Sequence, residues 1–518
     1  MEVSLIWSPS DTRKSFPDFS FAEELNLNAL VPINKGRGIG EKEKTLCEYF
    51  SLDEETLRMR QELFAELLAT PKLFEALENS FSALSSLYEL QKEKDSAATN
   101  ERLLYSVKEM ESYVDYLQGM KAIFESYAPV STALQNLRAL LSPLCETEQF
   151  EELRDAVAQQ AHAVRDVKSI TVGINLNGQL QPTEAGLVAV HTEPYVSGNY
   201  LDQLLRMKFG DKEFTCSAPL LPLQHRLTAE ELGSLRASVN GALNKVFASA
   251  LKSWSVVIKK YMLGNLHSLL GVYEEWKFVS ACMVPLLELQ EAGLPLCTPV
   301  CGVQDEVTGL YHPILALTAE RKTNLVQNDL TFSDEKRVYI LTGPNQGGKS
   351  IYTQSVGLLY VMLHLGMLLP AKEACVRPVD AILVHFIDVH SKSYVHGRLS
   401  EECDKISKLN RVLTKDSLFL YDEALSSTGA SEACAIAEEI LSAYGEIGVR
   451  GIFTTHFHEL CRLENELQGV TNLTAVLEEA SHKRIFRIQQ GCGGQSYAKD
   501  IAHAYGLTKE EILQNIKK

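Results

Sequence analysis

Residues Lys336 to Ser355, KRVYILTGPNQGGKSIYTQS, place a short apolar strand (Val338, Tyr339, Ile340, Leu341) before a glycine loop and a helix that opens at about Ser350. The loop reads Gly343-Pro344-Asn345-Gln346-Gly347-Gly348-Lys349-Ser350 and runs on into Ile351, with the spacing G-x-x-x-x-G-K-S. Glycines let backbone N–H groups curl around phosphate oxygens with no Cβ in the way. The helix N-terminus adds partial positive charge. Lys349 can reach the β- and γ-phosphates of ATP, and the Ser350 hydroxyl can ligate Mg²⁺. The bland alternative is a glycine turn with a chance lysine. A strand before the loop and a helix after it argue against that.

A second group lies about 70 residues further on. Ser417-Leu418-Phe419-Leu420-Tyr421-Asp422-Glu423 is an apolar strand ending in two carboxylates. Such a pair following a P-loop is expected on a neighbouring strand, with Asp422 holding the Mg²⁺ shell and Glu423 polarising the attacking water as general base. The next stretch, Ala424-Leu425-Ser426-Ser427-Thr428-Gly429-Ala430-Ser431-Glu432-Ala433, is rich in hydroxyls and opens a helix. Those residues suit N-capping, and Ser427 and Thr428 could also donate to a γ-phosphate across a dimer interface; both can hold at once. A third strand, Gly451-Ile452-Phe453-Thr454-Thr455, ends in His456. In doubly wound folds that edge binds ligands, so His456 is expected as a γ-phosphate sensor rather than polar filler. The chemistry implied is in-line attack of water on the γ-phosphate, with no covalent intermediate.

The elements that must position these groups fit within 518 residues, enough for about three or four domains. At 45% hydrophobic the chain can bury large cores. It has no run of ~18 apolar residues, so no membrane span is expected. The N-terminus MEVSLIWSPSDTRK lacks the basic-then-apolar order of a secretory signal. Eleven cysteines are scattered without a C-x-x-C pair; Cys297 and Cys301 are closest, with no histidine at zinc spacing. Free thiols in a reducing, cytoplasmic setting are expected. The net charge of −17 opposes a grip on nucleic acid through the bulk field, leaving only a local basic path for DNA.

Residues 1–46 read as an irregular lead-in anchored by Leu25, Leu27, Leu30 and Val31. Helical spacing begins at Ser51, which with Glu54 forms a capping box. Leu57, Phe64, Leu67 and Leu68 share a face, Pro71 restarts a helix, and Glu101 to Tyr127 carries a core stripe. This makes 47–168 a helical core. From Ser169 the period drops to two: Ile170, Val172, Ile174 and Leu176 alternate, Asn177-Gly178 marks a hairpin turn, and a further β stretch is expected around Leu205 to Cys216. We read 169–226 as a small β-containing insertion, either a packing hairpin or a clamp tip, with the former preferred for its low positive charge. Thr228 with Glu231 opens a long helical tract over 227–297 that cannot bury itself alone. The nucleotide domain then covers 298–490, and 491–518 is a helical tail.

With these stretches in place, the chain resembles the MutS mismatch-repair ATPase family. The likeness is carried by Thr342–Ser350, by Asp422-Glu423 and by Thr454-Thr455-His456-Phe457-His458-Glu459-Leu460. Tyr311-His312-Pro313-Ile314-Leu315 resembles the start of the family's ATPase domain, and Val326–Leu330 its nucleotide-flanking strand. Ser496-Tyr497-Ala498 and Gly506-Leu507 resemble its dimerisation element. The resemblance implies an ABC-like α/β P-loop NTPase domain at the C-terminus, preceded by an α-helical lever or core domain. It implies a homodimer with two composite ATP sites and DNA as partner. Lys349 and Ser350 would bind phosphate and Mg²⁺, Asp422 and Glu423 would form the Walker B pair, and His456 would be the switch histidine. Ser427, Thr428 and Ser431 would lie where the family reaches the partner subunit's nucleotide. Leu325 takes the place of the family's adenine-stacking aromatic.

The departures bear on function. The glycine- and arginine-containing loop after Walker B is replaced by Ala424–Thr428, and Gly397–Glu402 matches the preceding segment only loosely. The likeness starts at the lever core, so the mismatch-reading and connector domains are expected to be absent, and no nuclease extension is expected beyond Lys518. Phe21-Ala22-Glu23 and Phe64-Ala65-Glu66 spell the mismatch wedge by chance. Three functions follow: an ATP-driven dimeric clamp on DNA in repair or recombination, a mechanochemical ATPase acting on a ribosome or another protein assembly, which the acidic balance suits, or a nucleotide-gated dimer that signals by shape and turns over little.

Overall fold

The computed structural model describes residues 4–13, 16–31, 46–96, 102–165, 169–191, 193, 266–300, 302, 304–318, 325–344, 347–386, 398–477, 484–492 and 506–516. The chain divides into two compact units. One comprises residues 1–5, 71–130 and 134–276, the other 6–70, 131–133 and 277–518.

The first unit is mainly helical. Helices Pro71–Ser96 and Arg102–Ser126 form around buried Leu77, Phe81, Met110, Tyr116 and Leu117. Trp276 stacks on Phe81 at 4.5 Å, and its Nε1 donates to Glu78 at 2.9 Å, so the indole is buried with its polar edge satisfied. Strands β1 (Ser169–Leu176) and β2 (Pro182–His191) pair antiparallel as the alternation predicts. The turn is longer than the Asn177-Gly178 dipeptide suggested. It spans Asn177 to Gln181, closed by Asn177 N–H to the Gln181 carbonyl (2.9 Å), with Leu180 left-handed at φ 58°. Val172, Ile174, Leu176 and Val188 stay exposed on this hairpin. The expected strand around Leu205 to Cys216 and the Thr228–Glu231 capping box lie outside the described residues; the later helix spans Leu266–Glu291.

The second unit holds the nucleotide domain. Its main sheet comprises β5 (Val338–Thr342), β7 (Ile382–Phe386), β8 (Leu418–Asp422), β9 (Arg450–Thr454), β10 (Val470–Leu477) and β11 (Arg484–Gln490) in the order β11-β10-β5-β9-β8-β7. The pairs from β10 to β7 are parallel, and β11 turns back antiparallel on β10. Parallel strands covered on both faces read as continuous apolar runs, and β5 and β9 are buried at every position. A smaller sheet joins β3 (Asp305–Leu310), β4 (Asn328–Phe332) and β6 (Glu373–Cys375) in the order β4-β3-β6. Asp305, fully buried on β3, accepts from the Tyr360 hydroxyl at 2.9 Å and pairs with Arg450 at the start of β9.

The lead-in packs in this same unit, and all four of its apolar anchors are buried. The Glu24 carboxylate accepts from Phe386 N–H (2.7 Å) and from Lys405 Nζ (2.5 Å). Arg60, on helix Glu54–Ala69, is fully buried and donates to the Ile6 and Tyr49 carbonyls. The helix is capped two residues later than the sequence suggests. Asp53, not Ser51, accepts from Thr56 N–H, while the Ser51 hydroxyl accepts from Asp53 N–H. A carboxylate suits the N-terminal dipole better than a hydroxyl.

Three buried imidazoles tune the pH response. Burial pushes His312, His364 and His385 down from 6.5 to about 4. His364 is bonded at both ring nitrogens, to the Ser51 carbonyl and to Val379 N–H, which fixes it neutral. The unfolded chain protonates these rings near 6.5 and the folded chain only near 4, so stability is lost as pH falls between those values. The loss is roughly 3 kcal/mol per imidazole at most. Thermal melts taken from pH 7 to pH 4 should show this fall, and His364→Gln should make it shallower.

Candidate nucleotide site

The loop closes the gap between β5 and helix Lys349–His364. Gly343 has φ 126°, and a Cβ there would sit 2.9 Å from Ala475 N; one on Gly347 would sit 2.8 Å from the Pro344 carbonyl oxygen. Both positions therefore need glycine. Lys349 is buried, and its Nζ donates to the carbonyls of Gly343 (3.0 Å) and Pro344 (3.2 Å) across the loop. Asn345 and Gln346 lie outside the described residues.

Asp422 ends β8 and accepts from the Ser350 hydroxyl. Its Oδ1 is buried with no hydrogen-bond partner among the described residues. Burial raises the Asp422 carboxyl above its usual range; Ser350 and Lys349 pull it back, and Glu423 pushes the same way as burial. Burial lowers Lys349, and the Glu423 and Asp422 carboxylates oppose this. An orphaned carboxylate oxygen beside a hydroxyl is the oxygen donor set that a hard cation such as Mg²⁺ takes.

The sequence reading put Asp422 on the strand next to the loop strand. The structure inserts β9 between β8 and β5, so the two carboxylates approach from one strand further away. The gap is bridged by side chains: Thr353 Oγ1 lies 3.0 Å from Thr454 Oγ1, and Thr455 N–H continues the ladder to the Leu341 carbonyl. Glu423 holds a left-handed backbone (φ 52°), with its N–H on the Thr454 carbonyl at 2.9 Å. Leu425, also left-handed at φ 64°, donates to Glu402 Oε2 at 2.6 Å. Two non-glycine residues at positive φ in three positions is a local strain of the kind found at functional sites.

A cavity of about 580 Å³ opens from this point, lined among others by Leu325, Gly348, Lys349, Ser350, Ile351 and Glu423. It also receives Asn328, from the Val326–Leu330 stretch that resembles the family's nucleotide-flanking strand, and Phe486, which nothing in the sequence singles out. Phe486 lies on β11, far along the chain, with φ 54°. Asn328 fixes it by donating to its carbonyl (3.2 Å) and accepting from Ile488 N–H (2.8 Å). An Asn at the first position of β4 carries no sequence signal for that link. His456 follows β9 at the same sheet edge, exposed, with its ring 4.2 Å from Phe457; it does not line the cavity. Ser427 and Thr428 also lie off the cavity; the Thr428 hydroxyl donates to the Glu432 carboxylate at 2.6 Å, and the expected hydroxyl cap is not made, since helix Ala430–Ile447 has Gly429 at its N-cap with no side-chain cap bond.

The expectation of free thiols fails at one pair. Cys461 and Cys492 form a disulfide with Cα atoms 6.1 Å apart, while Cys47, Cys145, Cys282, Cys297, Cys375, Cys403 and Cys434 are free. The return of β11 beside β10 brings together residues separated by 31 positions, and no local spacing shows it.

A lysine, a serine and two carboxylates meeting at the carboxyl edge of a parallel sheet define a P-loop nucleotide-binding domain of the doubly wound class. Comparison with known proteins narrows the class. Residues 339–518 match the model of MutS domain V, and residues 52–283 match that of the MutS2 N-terminal domain. "DNA mismatch repair protein MutS" of Chlorobium phaeobacteroides is 33% identical over 223 residues, 42% of this chain and 26% of that protein. The protein of the same name from Fervidobacterium nodosum is 29% identical over 328 residues, 60% of this chain and 37% of that one. That of Thermosipho melanesiensis is 25% identical over 513 residues, 92% of this chain and 57% of that one. The chain belongs to the MutS family. It spans between 26% and 57% of the length of these three relatives.

Because burial raises Asp422, its ionised form costs stability at every pH above its folded value, and the cost builds as pH rises from the usual 3.8. Asp422→Asn should therefore raise the melting temperature of the nucleotide-free protein at pH 7 while removing the dependence of nucleotide binding on Mg²⁺. A lower melting temperature would contradict the desolvation account.

Proposed function

We propose that the chain is an ATPase of the MutS family that acts on DNA as a dimer. The observation that carries the ATPase reading is the convergence of Lys349, the Ser350 hydroxyl and an Asp422 Oδ1 without a partner among the described residues, beside one cavity of about 580 Å³. Ser350 and Asp422 would hold Mg²⁺, which supplies neutralisation of the phosphate oxygens when bound. Lys349 exchanges its two carbonyl partners for phosphate oxygens, and the loop N–H groups orient the chain of phosphates. Glu423 accepts the proton of the attacking water, held by its Thr454 anchor. Positioning and charge neutralisation supply most of the rate.

Leu325 and Phe486 form the base end of the cavity. Phe486 supplies the aromatic face that Leu325 lacks. Base–aromatic stacking is worth about 1–3 kcal/mol, so Phe486→Ala should weaken ATP binding about ten-fold, measured by calorimetry, with kcat nearly unchanged.

A second copy completes each site. Ser427, Thr428 and Ser431 lie off this chain's own cavity, as groups that serve a partner's nucleotide would. The exposed apolar residues Ile512 and Leu513 on helix Lys509–Ile516 suit the dimer contact. His456, exposed after β9, senses the γ-phosphate once the dimer closes. No helix among the described residues is long and apolar enough to cross a membrane.

Action on DNA is supported by the names of the relatives. The net charge of −17 favours the second reading, a mechanochemical ATPase on a ribosome or other protein assembly. One experiment separates them. Glu423→Gln should bind ATP normally and lose turnover by at least about a hundred-fold, the size of a general-base contribution. The ATP-trapped form is then titrated with duplex DNA at rising salt. Binding that falls steeply with log salt supports the clamp. Salt-independent or absent DNA binding, with a ribosome or protein assembly recovered from extract, supports the alternative. Unchanged turnover would remove Glu423 as the base.

A further inference from the structure

Next to the nucleotide site lies a second constellation that the ATPase chemistry does not use. The Sγ atoms of Cys461 and Cys492 and a ring nitrogen of His458 all lie within 4.8 Å of one another. His458 Nδ1 is buried with no hydrogen-bond partner among the described residues. A structural disulfide needs no imidazole beside it, and a buried ring nitrogen left unpaired costs stability unless something binds it. Among the described residues, none of the free cysteines belongs to such a group of three or more metal-ligating side chains.

We propose that Cys461, Cys492 and His458 form a thiolate–imidazole site for a divalent cation of the zinc class, with the Cys461–Cys492 disulfide as its oxidised, metal-free form. Two thiolates and a neutral imidazole are the donors zinc prefers, and they leave a fourth position open. The complex is neutral overall, which suits a place where Cys461 is buried and Cys492 is at the surface. Sulfur donors reject the Mg²⁺ of the ATP site, which takes oxygen. In a tetrahedral site the sulfurs stand about 3.8 Å apart, given Zn–S bonds of about 2.3 Å. The Cα separation of 6.1 Å accommodates that with side-chain rotation.

The three ligands tie together parts of the nucleotide site. His458 and Cys461 lie on the 3-10 turn His458–Arg462 just after His456, and Cys461 Sγ is 4.0 Å from the Thr342 hydroxyl at the mouth of the glycine loop. Cys492 lies two residues beyond the end of the strand that carries Phe486. Binding the cation displaces the two thiol protons. Oxidation by a peroxide moves two electrons from the thiolates to the oxidant, forms the S–S bond, consumes two protons to give two waters, and frees the cation.

The test uses the full chain, reduced with a phosphine, loaded with Zn²⁺, dialysed against Mg²⁺ and ATP, and assayed by atomic emission. We expect about one zinc retained per chain, released by hydrogen peroxide in step with the loss of two thiols. Co²⁺ in its place should give the near-ultraviolet absorption of thiolate-to-metal charge transfer. Cys492→Ser alters an exposed residue and should fold, as circular dichroism would verify; it should lose retained zinc and the cobalt band. His458→Gln should weaken zinc at least about ten-fold. Zinc retained no better by the parent than by Cys492→Ser, or held equally by His458→Gln, overturns the proposal and leaves a plain disulfide.

Discussion

The attraction between one buried ammonium and two carboxylates organises this nucleotide domain. Lys349 and Asp422 are both penalised by burial and each partly rescues the other; Glu423 also supports the ammonium, while it opposes the Asp422 carboxylate, which the Ser350 hydroxyl helps to hold. The groups cannot relax apart, because Lys349 is fixed at a helix N-terminus and Asp422 at a strand end. A site of this kind binds phosphate and a hard cation well because it does not have to reorganise to do so. It also makes the protein less stable than a neutral pocket would.

Scaffold and site are coupled through β9. That strand separates the loop strand from the carboxylate strand, and it supplies Thr454 to both sides: its hydroxyl to Thr353 and its carbonyl to Glu423 N–H. Beyond it, Glu402 secures the strained turn after Asp422 through Leu425 N–H. The lead-in participates as well, since Glu24 joins the end of β7 to Lys405. An apparently irregular N-terminal stretch is therefore part of the wall behind the site.

Charge and family pull in different directions for the partner. The relatives carry mismatch-repair names, while the chain is acidic overall. A local basic path can coexist with a negative total, because screening confines fields to about 10 Å at ordinary salt. The exposed apolar side chains of the β1–β2 hairpin show that its alternation reflects strand geometry rather than a buried face.

Sequence alone determined the glycine loop, the strand before it, the Asp422-Glu423 strand end and the strand leading to His456. These are local: a run of apolar residues, a spacing of glycines and a charge at a strand end all act within a few positions. It also determined the hairpin's pairing and the helices Pro71–Ser96 and Arg102–Ser126, whose period is written in the chain. Only the tertiary structure decided that β9 stands between β5 and β8, that Asp53 caps its helix, and that Phe486 reaches the cavity. It alone brought Cys492 to Cys461 and His458. Strand order, an antiparallel return and a cross-chain approach depend on which surfaces bury each other. That choice is made by the whole core at once, and no window of sequence contains it.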